Sequence, residues 1–243
     1  VDELGNDWWG LHRLWHRHFA VPGRVLAAAD AQAWGSRVLG VHYRGTDKNQ
    51  ALLDTNPVSH QDMLLLVEDF LERVPAVDAL FVATDEFSFA EAVRQRFPRH
   101  RVLSLGPVPF HKDGGGGLAR ADRALLDCVL LSRCAHVLKC SSALSGFAKV
   151  LNPDLDVYRV AASKRFMDVP YFPDAYIPPL VSENPACQRV LERLMADDWL
   201  QGVTPAATHA ACFVSRPRYS RWGGAVNLLK YLVSWLRGHP RKA

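Results

Sequence analysis

The sequence predicts an α/β fold built on a doubly wound parallel sheet. Three observations point to it: short aliphatic or β-branched runs recur from Arg37 onwards, helical stretches separate them, and polar residues gather just after the runs. Runs that are apolar throughout, rather than alternating, are characteristic of strands buried on both faces. Regular alternation of such strands with helices makes the sheet parallel.

Taken in order, Trp8, Trp9, Leu11, Leu14, Trp15, His16 and Phe19 recur at roughly helical spacing and read as an amphipathic packing helix lying against a neighbouring domain. Strands are expected over Arg37–Tyr43, Ala79–Thr84, Arg101–Leu105, His136–Cys140 and Asp156–Val160. Between them, Ser59–Arg73 has Ser59 as a cap and Met63, Leu66, Val67 and Phe70 on one face; Phe87–Phe97, Leu118–Cys134 and Ala143–Leu151 follow as helices. Residues 1–165 are expected to form the sheet domain, with its N-terminal packing helix, and residues 166–243 a helical and irregular C-terminal extension. In that extension Asp168–Leu180 is rich in Pro and aromatics, and Pro185–Trp199 is a helix candidate. The apolar run Val226–Leu236, at about 11 residues, is too short to span a bilayer and reads as a helix lying on a surface or packing on another domain.

The 243 residues are 49% hydrophobic and 22% charged, enough for one large domain or one domain plus an appendage. A net charge of +4, spread over scattered Lys and Arg with clusters only near the ends, gives nucleic-acid binding little support and suits a small anionic ligand. The five cysteines, Cys128, Cys134, Cys140, Cys187 and Cys212, form no CxxC pair, so neither zinc nor a disulfide framework is indicated and a reducing compartment is expected. The chain opens on Val1 without a signal segment, and no repeat is visible.

In a doubly wound sheet, ligands bind beyond the carboxyl ends of the strands. After the first strand stands His42-Tyr43-Arg44-Gly45-Thr46-Asp47-Lys48, after the second Thr84-Asp85-Glu86, and near the fourth Ser141-Ser142. A guanidinium at a strand end can hold two phosphate oxygens in its planar fork, while a glycine beside it lets a ligand approach the backbone. The alternative for Arg44, Asp47 and Lys48 is a structural ion-pair knot. Asp85 and Glu86 equally suit a helix N-terminus, where acids complement the dipole. Ser141 and Ser142 are cap candidates for the Ala143 helix, and the N–H groups and hydroxyls of such a cap also make an anion site. The glycines Gly114–Gly117 lack a following Gly-Lys-Ser/Thr and read as a flexible loop, with His111, Lys112 and Asp113 on its rim.

The segments VHYRGTDK (Val41–Lys48), VATDE (Val82–Glu86) and LLDCVLLSRCAHVLKCSSALSGFA (Leu125–Ala148) resemble, in this order and at similar separations, three motif regions of the GDP-fucose-dependent α1,6- and protein O-fucosyltransferases and of nodulation-type relatives. The resemblance covers roughly residues 8–153. It implies a GT-B glycosyltransferase of two Rossmann-like domains, inverting and metal-independent, of which this chain is the C-terminal donor-binding half, with an acceptor domain upstream. By position, Arg44 is then the residue that binds the donor's β-phosphate and stabilises departing GDP. His42 and Asp127 contact guanine, and Ser142, next to Ser141, touches the pyrophosphate. Asp47 and Lys48 orient Arg44 or line the site, and Asp85 and Glu86 match an acidic pair. The partners implied are a GDP-sugar donor and a glycan, lipid or protein acceptor, with no cofactor, metal or nucleic acid.

There are departures from the family's pattern. Gly45 stands where some members carry a second Arg, Leu52 falls where the α1,6-enzymes have a carboxylate, with Asp54 nearby, and Gly146 replaces a frequent Glu. Two readings therefore stand: an active transferase, and a nucleotide-binding or scaffolding remnant of the same fold. The cytoplasm is the expected location, or the Golgi or ER lumen for a eukaryotic source.

Overall fold

A computed structural model of the chain describes residues 8–32, 37–45, 56–106, 117–140, 142–161, 175–176 and 184–194. Among these residues, β1 (Val38–Tyr43), β2 (Ala79–Thr84), β3 (Arg101–Leu103), β4 (His136–Lys139), β5 (Asp156–Arg159) and β6 (Ala175–Tyr176) form one parallel sheet in the order β3-β2-β1-β4-β5-β6. The helices are α1 (Trp8–His18), α2 (Gly23–Asp30), α3 (His60–Arg73), α4 (Phe87–Arg96), α5 (Gly117–Ser132), α6 (Ala143–Leu151) and α7 (Pro185–Leu194). The chain runs outward from β1 through α3, β2 and α4 to β3, then returns through α5 to β4 on the other side of β1. Because parallel crossovers keep one hand, that reversal sends α3 and α4 to one face and α5 and α6 to the other. The fold is the doubly wound α/β sheet that the sequence predicts.

Strand alternation divides the core between the two faces. Leu39, Val41 and Tyr43 of β1 join Met63, Leu66, Val67 and Phe70 of α3 and Phe89 and Val93 of α4. Val38, Phe81, Ala83 and Val137 join Val129, Leu130 and Leu131 of α5 on the opposite face. That second layer depends on Gly40: a Cβ there would stand 2.9 Å from Leu131 Cδ2 and 3.0 Å from Val137 Cγ2, so the missing side chain is what lets α5 settle on β1.

Ser59 caps α3 as expected. Its hydroxyl accepts from the Asp62 N–H while the Asp62 carboxylate accepts from the Ser59 N–H, forming a capping box. Other expected elements recur with ends moved by a residue or two. One helix was not foreseen: α2, an Ala-rich segment behind Pro22, bound to α5 by the Arg24–Asp122 and Arg133–Asp30 ion pairs. The aromatic helix α1 lies on α6 of the same layer, with Nδ1 of His12 donating to Val150 O (2.9 Å) and Trp15 edge-on to Phe147. It leaves Trp9, Leu14 and Phe19 exposed. Two elements from the expected extension complete the sheet domain. β6 pairs with β5, and α7 buries Cys187 and Leu194 in the α3 core, where Asn56 Nδ2 donates to Leu194 O (2.9 Å). Most of Asp168–Leu180, and all of Val226–Leu236, lie outside the described residues.

Gly40→Ala tests the packing argument. A methyl forced between β1 and α5 should lower stability by roughly 1–3 kcal/mol, read from chemical denaturation midpoints. An unchanged midpoint would show that α5 does not rest on that glycine.

Candidate functional site

β1 and β4 are neighbours, and their carboxyl ends open where the strand order reverses, the place where doubly wound sheets leave a crevice. The two ends are stitched together past the ladder: the Cys140 N–H donates to His42 O (3.1 Å), and the Arg44 N–H bonds the Cys140 thiol. The thiol itself is pushed up to about 12, chiefly by burial, so it is no nucleophile.

Alternation points His42 and Lys139 to the α5–α6 face, side by side in register. Both are buried, His42 at 5% exposed and Lys139 at 1%. His42 Nδ1 has no hydrogen-bond partner among the described residues. Its imidazole is held neutral, with a pKa lowered to about 3, by burial first and then by the charges of Lys139 and Arg44. Arg44 itself is half-buried at the rim.

Asp127 reaches the same layer from α5. Burial pushes its carboxyl up to about 6, against the opposing pull of Arg123, whose Nε lies 3.5 Å from Asp127 Oδ1. Arg123 also donates through Nη2 to Gly106 O (2.8 Å), binding α5 to the segment after β3. From α6 comes Ser142, the N-cap residue in extended conformation. Unlike Ser59, it makes no capping hydrogen bond, and its buried Oγ has no partner among the described residues. A serine hydroxyl that neither caps its helix nor meets solvent is a group left open for something else.

The acidic pair is placed differently. Asp85 Oδ1 accepts from the Gly45 N–H (3.0 Å). Glu86, the N-cap residue of α4, turns its carboxylate away from the helix to accept from His60 Nε2 (2.6 Å). A Cβ on Gly45 would fall 2.0 Å from Glu86 Oε1 and 2.8 Å from the Tyr43 ring. Here Gly45 is required by close approach: Glu86 fills the space that any larger residue would enter. Tyr43 is fixed in turn by its hydroxyl on Val58 O (2.8 Å) and by stacking on Phe89. Asp85 and Glu86 therefore brace the β1 terminus on the α3–α4 side.

The structure thus keeps His42 and Arg44 at the end of β1 and Ser142 at the start of α6 after β4, places Asp127 buried on α5 beside Arg123, and uses Asp85 and Glu86 as a brace for β1. Asp47, Lys48 and Ser141 lie outside the described residues, as do Leu52, Asp54, His111, Lys112 and Asp113. Sequence reasoning missed Lys139, although a lysine inside the short run His136–Cys140 was the available signal, and it missed His60 and Arg123. Among the described residues, no group of three or more His, Cys, Asp or Glu side chains is placed to hold a metal ion, and no helix is long and apolar enough to cross a membrane.

No family model and no curated protein matches the chain. The solved structures to which it is similar are GDP-fucose fucosyltransferases. A mutant of Arabidopsis thaliana FUT1 in complex with GDP matches with a TM-score of 0.44 and 14% identity, over 62% of this chain and 36% of that one. POFUT1 matches in its apo form (TM-score 0.36, 11% identity) and in complex with GDP-fucose (TM-score 0.37, 13% identity), each over 53% of this chain and 42% of that one. The match thus takes in well under half the length of those proteins.

The two perturbed groups give a test with opposite signs. His42 binds a proton in the unfolded chain below its ordinary value of 6.5 but in the folded chain only near 3, so it costs stability as pH falls from about 6.5. Asp127 does the reverse, binding its proton in the folded chain from about 6 and in the unfolded chain near 3.8, so it adds stability as pH falls between them. In denaturation profiles between pH 6 and 4, His42→Gln should gain on the wild type by roughly 1 kcal/mol per pH unit, and Asp127→Asn should lose by a similar amount. Two variants that drift in the same direction would contradict these environments.

Proposed function

We propose that this crevice binds a nucleoside diphosphate sugar, GDP-fucose or a close relative, and that the chain is the donor-binding half of a metal-independent, inverting glycosyltransferase acting on a hydroxyl of a glycan, lipid or protein. What supports the reading is that Arg44 and neutral His42 end β1 beside β4, which the uncapped α6 start follows, with Asp127 buried on α5. These are the positions at which the sequence resembles the fucosyltransferase motifs.

The chemistry follows from those groups. Breaking the bond between the sugar's anomeric carbon and the β-phosphate oxygen leaves the electron pair on the phosphate while the sugar acquires oxocarbenium character. A guanidinium and helix N-terminal N–H groups already in place stabilise that growing charge without reorganising. The acceptor oxygen forms the new bond from the opposite face and loses its proton. Neutral His42 offers a hydrogen bond to a base or sugar rather than a charge, and Asp127 is a carboxylate able to accept from a purine's N–H groups above its pKa.

Calorimetry with GDP, with and without EDTA, and turnover of GDP-fucose by the full-length protein test the reading together. GDP should bind equally well in both buffers. Arg44→Lys should reduce kcat by about a hundredfold or more, nearly as much as Arg44→Ala, because a point charge replaces a fork that grips two oxygens. A strict need for divalent metal, or an Arg44→Lys variant with most of the wild-type rate, would overturn it.

A further inference from the structure

We propose that Lys139 is the second cation of this crevice and shares with Arg44 the charge of the bound diphosphate. The inference rests on the donor site just described and adds a residue that the motif resemblance does not supply.

Three structural observations lead to it. The first is position: Lys139 closes β4, lies opposite His42 in the β1–β4 register and faces the same α5–α6 side. Its carbonyl is pinned by the Val160 N–H (2.9 Å), which fixes its backbone at the carboxyl end of the sheet.

The second is cost. A side chain 1% exposed in the middle of a parallel sheet is ordinarily aliphatic, and an ammonium there gives up its hydration. Burying an ammonium is costly even when it is paired, so a lysine at this place is unusual for a strand of the core. Lys139 does interact with other groups of the protein, which lets it be buried as a cation while the crevice is empty of ligand.

The third is what surrounds it. Lys139 is the register partner of His42, and Arg44 follows two residues after His42, so both cations stand at the carboxyl ends of the paired strands β1 and β4, and the charges of both act on the His42 imidazole. Three residues further along the chain the buried Ser142 Oγ stands without a partner, at the N-terminus of α6. Two cations, a helix N-terminus and an unsatisfied hydroxyl at neighbouring strand ends suit the charge of a diphosphate.

The test uses the full chain and three probes: GDP, GMP and guanosine. Lys139→Met should still fold, with a Tm at or below the wild type's, bind guanosine as before, and bind GDP roughly tenfold to a hundredfold more weakly, with the smaller loss for GMP. Its GDP affinity should also fall less steeply with added salt. Lys139→Gln should show the same loss for GDP, which keeps the test open should methionine pack badly. Wild-type affinity for GDP in both variants would overturn the proposal, as would an equal loss for guanosine and GDP, or failure of both variants to fold, since each marks Lys139 as structural. If the wild-type protein bound guanosine and GDP alike, or neither, the donor-site reading itself would fall, and the proposal with it.

Discussion

The parallel pairing of β1 with β4 is the constraint on which the rest of the site depends. It places His42 beside Lys139 and sets Arg44 against Cys140, and it falls where the chain changes direction across the sheet. Helices leaving β1 and β4 depart to opposite faces, so the carboxyl ends of these two strands are not roofed by a shared crossover. What hangs from them is therefore exposed to a ligand while its backbone remains part of the most buried strands of the domain. Gly40 allows α5 onto this pairing, and α5 brings Asp127 with it. The site is a by-product of how the core packs.

A core of this kind ordinarily excludes polar side chains, yet His42, Lys139, Asp127 and Ser142 are all under 10% exposed along one edge. Three of them show the strain of their position. The histidine is kept neutral, the aspartate is driven towards its protonated form, and the serine hydroxyl stays unsatisfied. Groups left in such states lower the stability of the empty protein and raise its affinity for a partner that satisfies them. On the other face of the sheet the polar residues behave in the opposite way. Glu86 accepts from His60, Asp85 accepts from the Gly45 N–H and the Tyr43 hydroxyl donates to Val58 O, and together they hold the β1 terminus still.

The fold was legible because its signals were local. Ser59 with Asp62 marks a helix start, Ala79–Thr84 is apolar throughout, and the α3 stripe of Met63, Leu66, Val67 and Phe70 is fully buried. α2 escaped notice because a short alanine-rich stretch behind a proline carries no side-chain cap. The site was half legible. Residues that follow a strand directly, such as Arg44 and Ser142, stand out as polar interruptions, whereas Lys139 was hidden inside a run read as strand. The bracing role of Glu86 depends on His60, far along the chain and brought close only by tertiary packing, which no spacing rule reveals. Likewise Gly45 reads in sequence as a lost positive charge, and in the structure its N–H donates to Asp85 with the Glu86 carboxylate close by.

The measurement that bears most directly on the account is the structure of the protein bound to GDP. The diphosphate should lie at the β1–β4 edge with the Arg44 guanidinium and the Ser142 hydroxyl on its oxygens, and the base should meet His42 and Asp127. A nucleotide seated elsewhere, with His42 Nδ1 and Ser142 Oγ still unpartnered, would contradict it.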